Sequence, residues 1–316
     1  MRVVVALGGN ALLERTERPD ADIQERHVLR AVDALAPIAR DHELVVTHGN
    51  GPQVGLLAAE SEKDPDLEHP YPFDVLGAQT QGMIGYWLLQ ALENALPARG
   101  VATVLTQTLV DADDPAFADP QKFVGPLYDE DTAKRLSAAR GWTVRPDEKG
   151  LRRVVASPEP RSIVEIAEVD ALLAGGSVVV CAGGGGIPVV RRPDGRLAGV
   201  EAVVDKDLTA ALLAEHVRAD ALVILTDVPA VEIDHGTPLA RPIGRTTVAE
   251  LRALPFAPGS MGPKVEAACR FVTATGGLAA IGQLGDAPGL LAGSTGTVVE
   301  PVGSAGVGPT GSAGRR

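Results

Sequence analysis

Lysine is scarce in this chain: only six of its 29 basic residues are lysine, so arginine serves as the general surface cation and each lysine stands out. Aromatic residues fill 3% of the 316 positions, which leaves Val, Leu, Ile and Ala to build a core from a 45% apolar fraction. Two cysteines, Cys181 and Cys269, lie far apart without metal-ligand spacing. That excludes a disulfide scaffold, and both thiols read as small buried hydrophobes. Positive charge is also in deficit, with a formal net charge of −12. A nucleic-acid backbone as partner needs a basic footprint, which is missing. An anionic ligand must therefore be met by local positive potential against an unfavourable overall field. No apolar segment reaches the length of a membrane span, and Met1-Arg2-Val3 runs directly into an apolar strand without a signal-peptide pattern. The expectation is a soluble, cytoplasmic protein.

What is present is a repeated device. Four short aliphatic runs each break into a turn, three of them glycine-rich: Val3–Leu7 into Gly8-Gly9-Asn10, Glu43–Thr47 into His48-Gly49-Asn50-Gly51, Ser177–Cys181 into Ala182 and the four glycines 183–186, and Ala221–Leu225 into Thr226-Asp227. Unbroken aliphatic runs are the mark of parallel strands buried on both faces. Glycine turns at their ends let backbone N–H groups converge on an anion at the next helix N-terminus. Several such turns can ring one pocket at the carboxyl edge of a sheet. That is a site built for phosphate.

A chain of this length buries roughly 75% of its unfolded surface, enough for one large domain with an insertion. The order strand, turn, helix predicts an α/β fold, a three-layer αβα sandwich with a mainly parallel central sheet. Pro52 suits a first helical position. A second long helix is expected from Val75 to Leu96. Its apolar content exceeds what one face needs, so it is buried in its own core or docked in part on another subunit. From about residue 112 to 162 the texture turns to charges, prolines and short runs, predicting a small inserted subdomain. It should contain a hairpin of Trp142–Val144 against Arg152–Ala156, turning at 147–150. A helix, the strand to Cys181, a hairpin turning at Pro193-Asp194-Gly195, and a helix over 207–216 should follow. The 221–225 strand, a helix from Pro263 to about Ala274 and a strand near 296–299 complete a single domain over residues 1–302. The Gly/Ser/Ala/Pro tail, 303–316, is expected to be disordered.

The phosphate device is neither of the two commonest ones. No GxxxxGK[ST] sequence occurs, and Gly49-Asn50-Gly51 with Gly55 misses the dinucleotide fingerprint by one position and lacks its acidic strand end. Four successive glycines are more than a turn needs, and close approach of backbone to a ligand is the expected reason. Asp205-Lys206-Asp207 opens a helix. Asp207 reads either as its N-cap or as one of two carboxylates pinning Lys206. Lys264 follows Pro263 into another helix, where its charge adds to the helix dipole. His48 is expected to hold a turn rather than act as a general base. The Arg152-Arg153 pair is expected on a solvated hairpin face.

Five blocks carry a family resemblance: Gly8–Leu12, His48–Gly55, Asp74–Tyr86, Gly199–Asp207 and Ala257–Lys264. In order and spacing they resemble the carbamate kinases of the amino-acid kinase superfamily, over residues 1 to about 301. The resemblance implies an amino-acid kinase-like fold with a lid, and the reaction ATP + carbamate ⇌ ADP + carbamoyl phosphate. It implies Mg²⁺, a homodimer, and ATP formation in arginine breakdown. It assigns Lys206 and Lys264 to the transferring phosphoryl group, Asp207 to holding the lysines, and Lys122 to entering from the insertion. Gly8, Gly9, Asn10, Gly49, Asn50, Gly51, Gly183 and Gly184 would cradle carbamate and the γ-phosphate. Thr226, Asp227, Val228, Met261 and Lys264 would line the nucleotide end. Many superfamily members carry a lysine where Ala6 stands; its absence matches carbamate kinases, which use the lysine near Asp205 and the one from the insertion instead. Two departures occur: Phe123-Val124-Gly125-Pro126-Leu127 follows Lys122 in place of Pro-Ile-Gly-Pro-Phe, and Pro229-Ala230 replaces a usual acidic residue after Val228. The alternatives weighed are a sister kinase for another carboxylate or phosphate, a non-catalytic sensor, and a dinucleotide oxidoreductase. Ala6 and Lys122 oppose the first, the retained lysines and Asp207 the second, and the fingerprint spacing the third.

Overall fold

Eight strands form the central sheet of the computed structural model, which describes residues 1–14, 16–147, 150–256 and 261–301. Their spatial order is Arg245–Thr247, Thr297–Glu300, Leu278–Gln283, Ala221–Thr226, Arg2–Leu7, Glu43–His48, Val178–Val180 and Val101–Thr103. The six strands from Leu278–Gln283 to Val101–Thr103 are parallel, and Thr297–Glu300 runs antiparallel to Leu278–Gln283. Period-two alternation divides the aliphatic side chains between two cores. On the first strand Val4 and Ala6 join one apolar cluster, while Val3, Val5 and Leu7 join the other. Helices Ile166–Ala174, Lys206–His216 and Met261–Thr275 supply the first cluster; Ala21–Asp41, Phe73–Ala95 and Ala287–Leu291 supply the second. Helices therefore cover both faces, and the expected three-layer α/β sandwich is present.

Helices Gly51–Lys63, Phe73–Ala95, Lys206–His216 and Met261–Thr275 and strand Thr297–Glu300 fall close to their expected positions. The Ile187–Arg191/Leu197–Gly199 hairpin turns through Gly195 at φ 86°. Helix Ala21–Asp41 and strand Leu278–Gln283 were not expected. The helix holds Pro37 in its interior, a fault worth about 3 kcal/mol. Its buried Val28, Val32, Leu35 and Ile38 recover roughly 1.5–3 kcal/mol each, so tertiary burial wins.

Between Val110 and Pro160 the chain forms a three-stranded antiparallel sheet, ordered Lys122–Tyr128, Gly150–Val155, Thr143–Asp147, with helix Glu130–Arg140. That helix starts where the Asp129 carboxylate accepts the Thr132 N–H at 2.7 Å and stops at Gly141 in the left-handed region, φ 67°. The expected hairpin is there, with Thr143 opposite Val154 and Asp147 opposite Gly150. Its turn residues 148–149 and the tail expected to be disordered lie outside the described residues. Cys181 and Cys269 are buried, and burial pushes the Cys181 thiol up to about 12. No helix among the described residues is long and apolar enough to cross a membrane.

Candidate active site

The glycine turns do ring one edge. Leu7 registers with His48 on one side and Leu225 on the other, so the three following turns leave the sheet together. The chain departs from the first strand in one direction to Glu43–His48 and returns on its other side as Ala221–Thr226, a switch point where α/β sheets open a crevice. The Gly8 N–H donates to Leu225 O and the Gly49 N–H to Leu7 O, each at 2.9 Å. A Cβ on Gly49 would stand 2.8 Å from Gly9 N and 3.3 Å from Lys206 Cδ, so two loops and a lysine stem meet where only glycine fits. Across the crevice the Asn10 amide donates to Asp227 Oδ2 at 2.8 Å.

The four-glycine run is confined by its protein neighbours, which by themselves leave no room for a side chain. A Cβ on Gly183 would collide with the His48 ring, on Gly184 with the Asn50 amide, on Gly185 with Val204 O, and on Gly186 with Thr108 Oγ1; the last three glycines also have φ between 66° and 92°. The Gly185 carbonyl accepts from Thr108 and Thr209 hydroxyls at 2.8 and 3.0 Å. Asn50 likewise spends its side chain inside the protein, donating to Thr80 Oγ1 at 2.9 Å, so its amide is a strut beneath Gly184. Gly51, at the first turn of its helix, faces open space.

The lysines converge. Lys206 Nζ stands 2.5 Å from Asp207 Oδ1 and Lys264 Nζ 3.0 Å from Asp207 Oδ2. Both sit in the first turns of helices that pack on one core, so two dipoles add to two ammonium charges. Burial alone would raise the Asp207 carboxyl, but the two ammonium groups outweigh it and hold it below the ordinary range. Burial lowers Lys206, with Lys264 adding to the effect and Asp207 opposing it. The N-cap reading of Asp207 is wrong: Asp205 caps the helix, accepting from Asp207 N at 2.9 Å and Leu208 N at 3.3 Å. The other Asp205 oxygen pairs with Lys122 at 3.1 Å, which brings the inserted sheet to this cluster.

His48 holds its turn, with Nδ1 3.0 Å from the Gly49 carbonyl oxygen. Burial pushes it down to about 4, and the Lys206 charge adds to this. A neutral, enclosed ring is a spacer under Gly183, in keeping with the expectation. Thr226 and Val228 are half-buried beside exposed Asp227, and Met261 packs partly on the core at the head of its helix. Residues 257–260 of the last motif lie outside the described residues. Arg153 contradicts its expected solvated setting: it is only 9% exposed. Phe73 and Glu201 reach it from distant segments, and Trp142 from its own hairpin, so its burial was not marked locally. Asp205 as cap was readable from its place before Lys206; Thr108 and Thr209 were not.

A family profile described as the amino acid kinase family matches residues 1–281. The chain is 52% identical over 302 residues to the carbamate kinase of Rhizobium meliloti, covering 95% of this chain and 93% of that protein. It is 51% identical over 297 residues to the carbamate kinase of Escherichia coli K12, covering 94% and 98%. Its fold superposes on the carbamate kinase of Giardia lamblia bound to AMP-PNP with a TM-score of 0.89 at 40% identity, covering 95% and 98%.

Proposed function

The chain belongs to the amino-acid kinase family and, within it, to the carbamate kinases, and from that membership we propose how its residues share the transfer of a phosphoryl group between ATP and carbamate. Carbamate is already an anion with a nucleophilic oxygen, so no strong base is needed. The difficulty is to hold two anions in line, and positioning with charge neutralisation is nearly the whole task. The observation that carries the reading is the convergence of Lys206 and Lys264 on one buried carboxylate beside the Gly9–Gly49 contact.

In this reading Lys206 and Lys264 meet the equatorial oxygens of the transferring group, and Asp207 fixes both. Gly8, Gly9, Asn10, Gly49, Asn50 and Gly51 cradle carbamate and the γ-phosphate, the N–H groups of Gly9, Asn10, Asn50 and Gly51 facing the anions while those of Gly8 and Gly49 tie the turns to the sheet, with Gly183 and Gly184 behind them. Thr226, Asp227, Val228 and Met261 line the nucleotide end. The inserted sheet, within residues 112–162 of a domain spanning 1–302, acts as a lid that brings Lys122 to the phosphates. Nucleotide arrives as its Mg²⁺ chelate. Asp207 is occupied by two ammonium groups and Asp205 by Lys122 and backbone N–H groups, so the ion would enter with the nucleotide and supply charge neutralisation there. Transfer from an acyl phosphate to ADP is the downhill direction, which suits ATP formation in arginine breakdown, in the cytoplasm. We also propose a homodimer through the outer face of helix Phe73–Ala95.

ADP, carbamoyl phosphate and Mg²⁺ should yield ATP, whereas acetyl phosphate and acetylglutamate phosphate should not. Lys206→Ala and Lys264→Ala should each lower kcat on the order of 10²–10³-fold while the protein still folds. Full turnover in both would remove the assignment.

A further inference from the structure

Arg153 stands on the middle strand of the inserted sheet, yet it is held by the body of the protein. Its guanidinium lies 3.9 Å from the Trp142 ring centroid and 5.2 Å from that of Phe73. It donates to Glu201 Oε1, and Glu201 Oε2 accepts the Phe73 N–H at 2.8 Å, at the start of helix Phe73–Ala95. Glu201 belongs to the short segment that ends at Asp205 and Lys206. Just past the strand that carries Arg153, Ala156 bridges to Ala202 and accepts the Val203 N–H at 3.0 Å. Lys122 sits opposite Val155 in the neighbouring strand, two residues along from Arg153. The Arg153 clamp and the Lys122–Asp205 pair thus join the same sheet to the same loop.

We propose that Arg153 is a positioning residue: packed against two aromatic rings and gripping Glu201, it sets where the Lys122 ammonium stands relative to Asp205 and Lys206. The inference deepens the reading of Lys122 given above and rests on it. A displaced sheet moves Lys122 without removing it. Turnover then suffers more than nucleotide binding, because remote misplacement by about 1 Å can cost as much as 10²-fold. A role in stability alone would act whether or not Lys122 is present.

The test is a double-mutant cycle in the full-length enzyme, with ATP formation and thermal unfolding measured for Arg153→Gln, Lys122→Ala and the pair. Arg153→Gln should lower kcat roughly 10–10²-fold with little change in KM for ADP. In the Lys122→Ala background the same change should cost less than about twofold, the sign of residues acting through one another. If Arg153→Gln does not fold, Glu201→Gln replaces it, since the amide oxygen still accepts from Phe73 while the charge is gone. An undiminished loss in the Lys122→Ala background, or wild-type kcat in Arg153→Gln, overturns the proposal. A fully active Lys122→Ala enzyme instead overturns the reading of Lys122 and takes the positioning role with it.

Discussion

Asp207 carries two ammonium groups on one nearly buried carboxylate. Buried charge is expensive unless paired, and here the imbalance of two cations to one anion leaves net positive charge where an anionic group must be received. Asp207→Asn removes the group that opposes the lowering of Lys206 by burial and by Lys264. The Lys206 ammonium should then lose its proton at lower pH. We expect kcat to fall about 10²-fold and the alkaline limb of the kcat/KM profile to move toward neutrality. An alkaline limb left in its wild-type position would show that Asp207 does not hold the lysines charged. Such a pair of lysines was legible in the sequence because lysine is rare in it. The carboxylate's sharing came from the family resemblance alone, which assigns Asp207 to holding the lysines; no local pattern marks it, since Lys264 approaches from a helix 57 residues further along.

Strands and turns were the legible elements. An unbroken aliphatic run such as Val3–Leu7 ending in glycine has few other readings, and the sheet places three such turns side by side. Leu278–Gln283 escaped because Ala279, Ala280 and Gly282 carry weak strand preference; the neighbouring strand Ala221–Thr226 recruits it. Helix Ala21–Asp41 carries Pro37 in its interior, which weakens its helical pattern, and Arg153 owes its burial to Phe73 and Glu201 from far along the chain as well as to Trp142 of its own hairpin. The glycine run shows that protein neighbours alone can demand glycine at a motif. Gly185 sits at φ 92° with Val204 O against any Cβ, so Gly185→Ala should cost about 3 kcal/mol or more. Gly51 faces open space and needs no positive φ, so Gly51→Ala should stay within about 0.5 kcal/mol of wild type. If its backbone meets the anion, KM for carbamoyl phosphate should still rise several-fold. Thermal melts with matched kinetics separate the two effects, and equal melting points for both variants would sink the packing account.

At the scale of the whole molecule, a net charge of −12 surrounds a crevice made locally positive by two lysines and two helix N-termini, which confines anion binding to one edge of the sheet. The same sheet ends at Val101–Thr103, a strand with one neighbour, and exposed strand edges invite pairing or need cover. Helix Phe73–Ala95 packs against this strand so closely that a Cβ on Gly85 would stand 2.5 Å from Thr103 Oγ1. On the outer side of the helix Val75 and Tyr86, eleven positions apart and so on one stripe, remain 37% and 54% exposed. Apolar content beyond the needs of one face thus stays at the surface beside an open sheet edge, the basis of the proposed homodimer. A carboxylate on that stripe would be buried without a partner on association, which is strongly unfavourable. Tyr86→Glu should therefore sediment as a monomer of 32.7 kDa, while wild type and Leu239→Glu, altered at another exposed apolar residue, sediment at twice that mass. A wild-type monomer, or dissociation by Leu239→Glu alone, would remove this face as the interface.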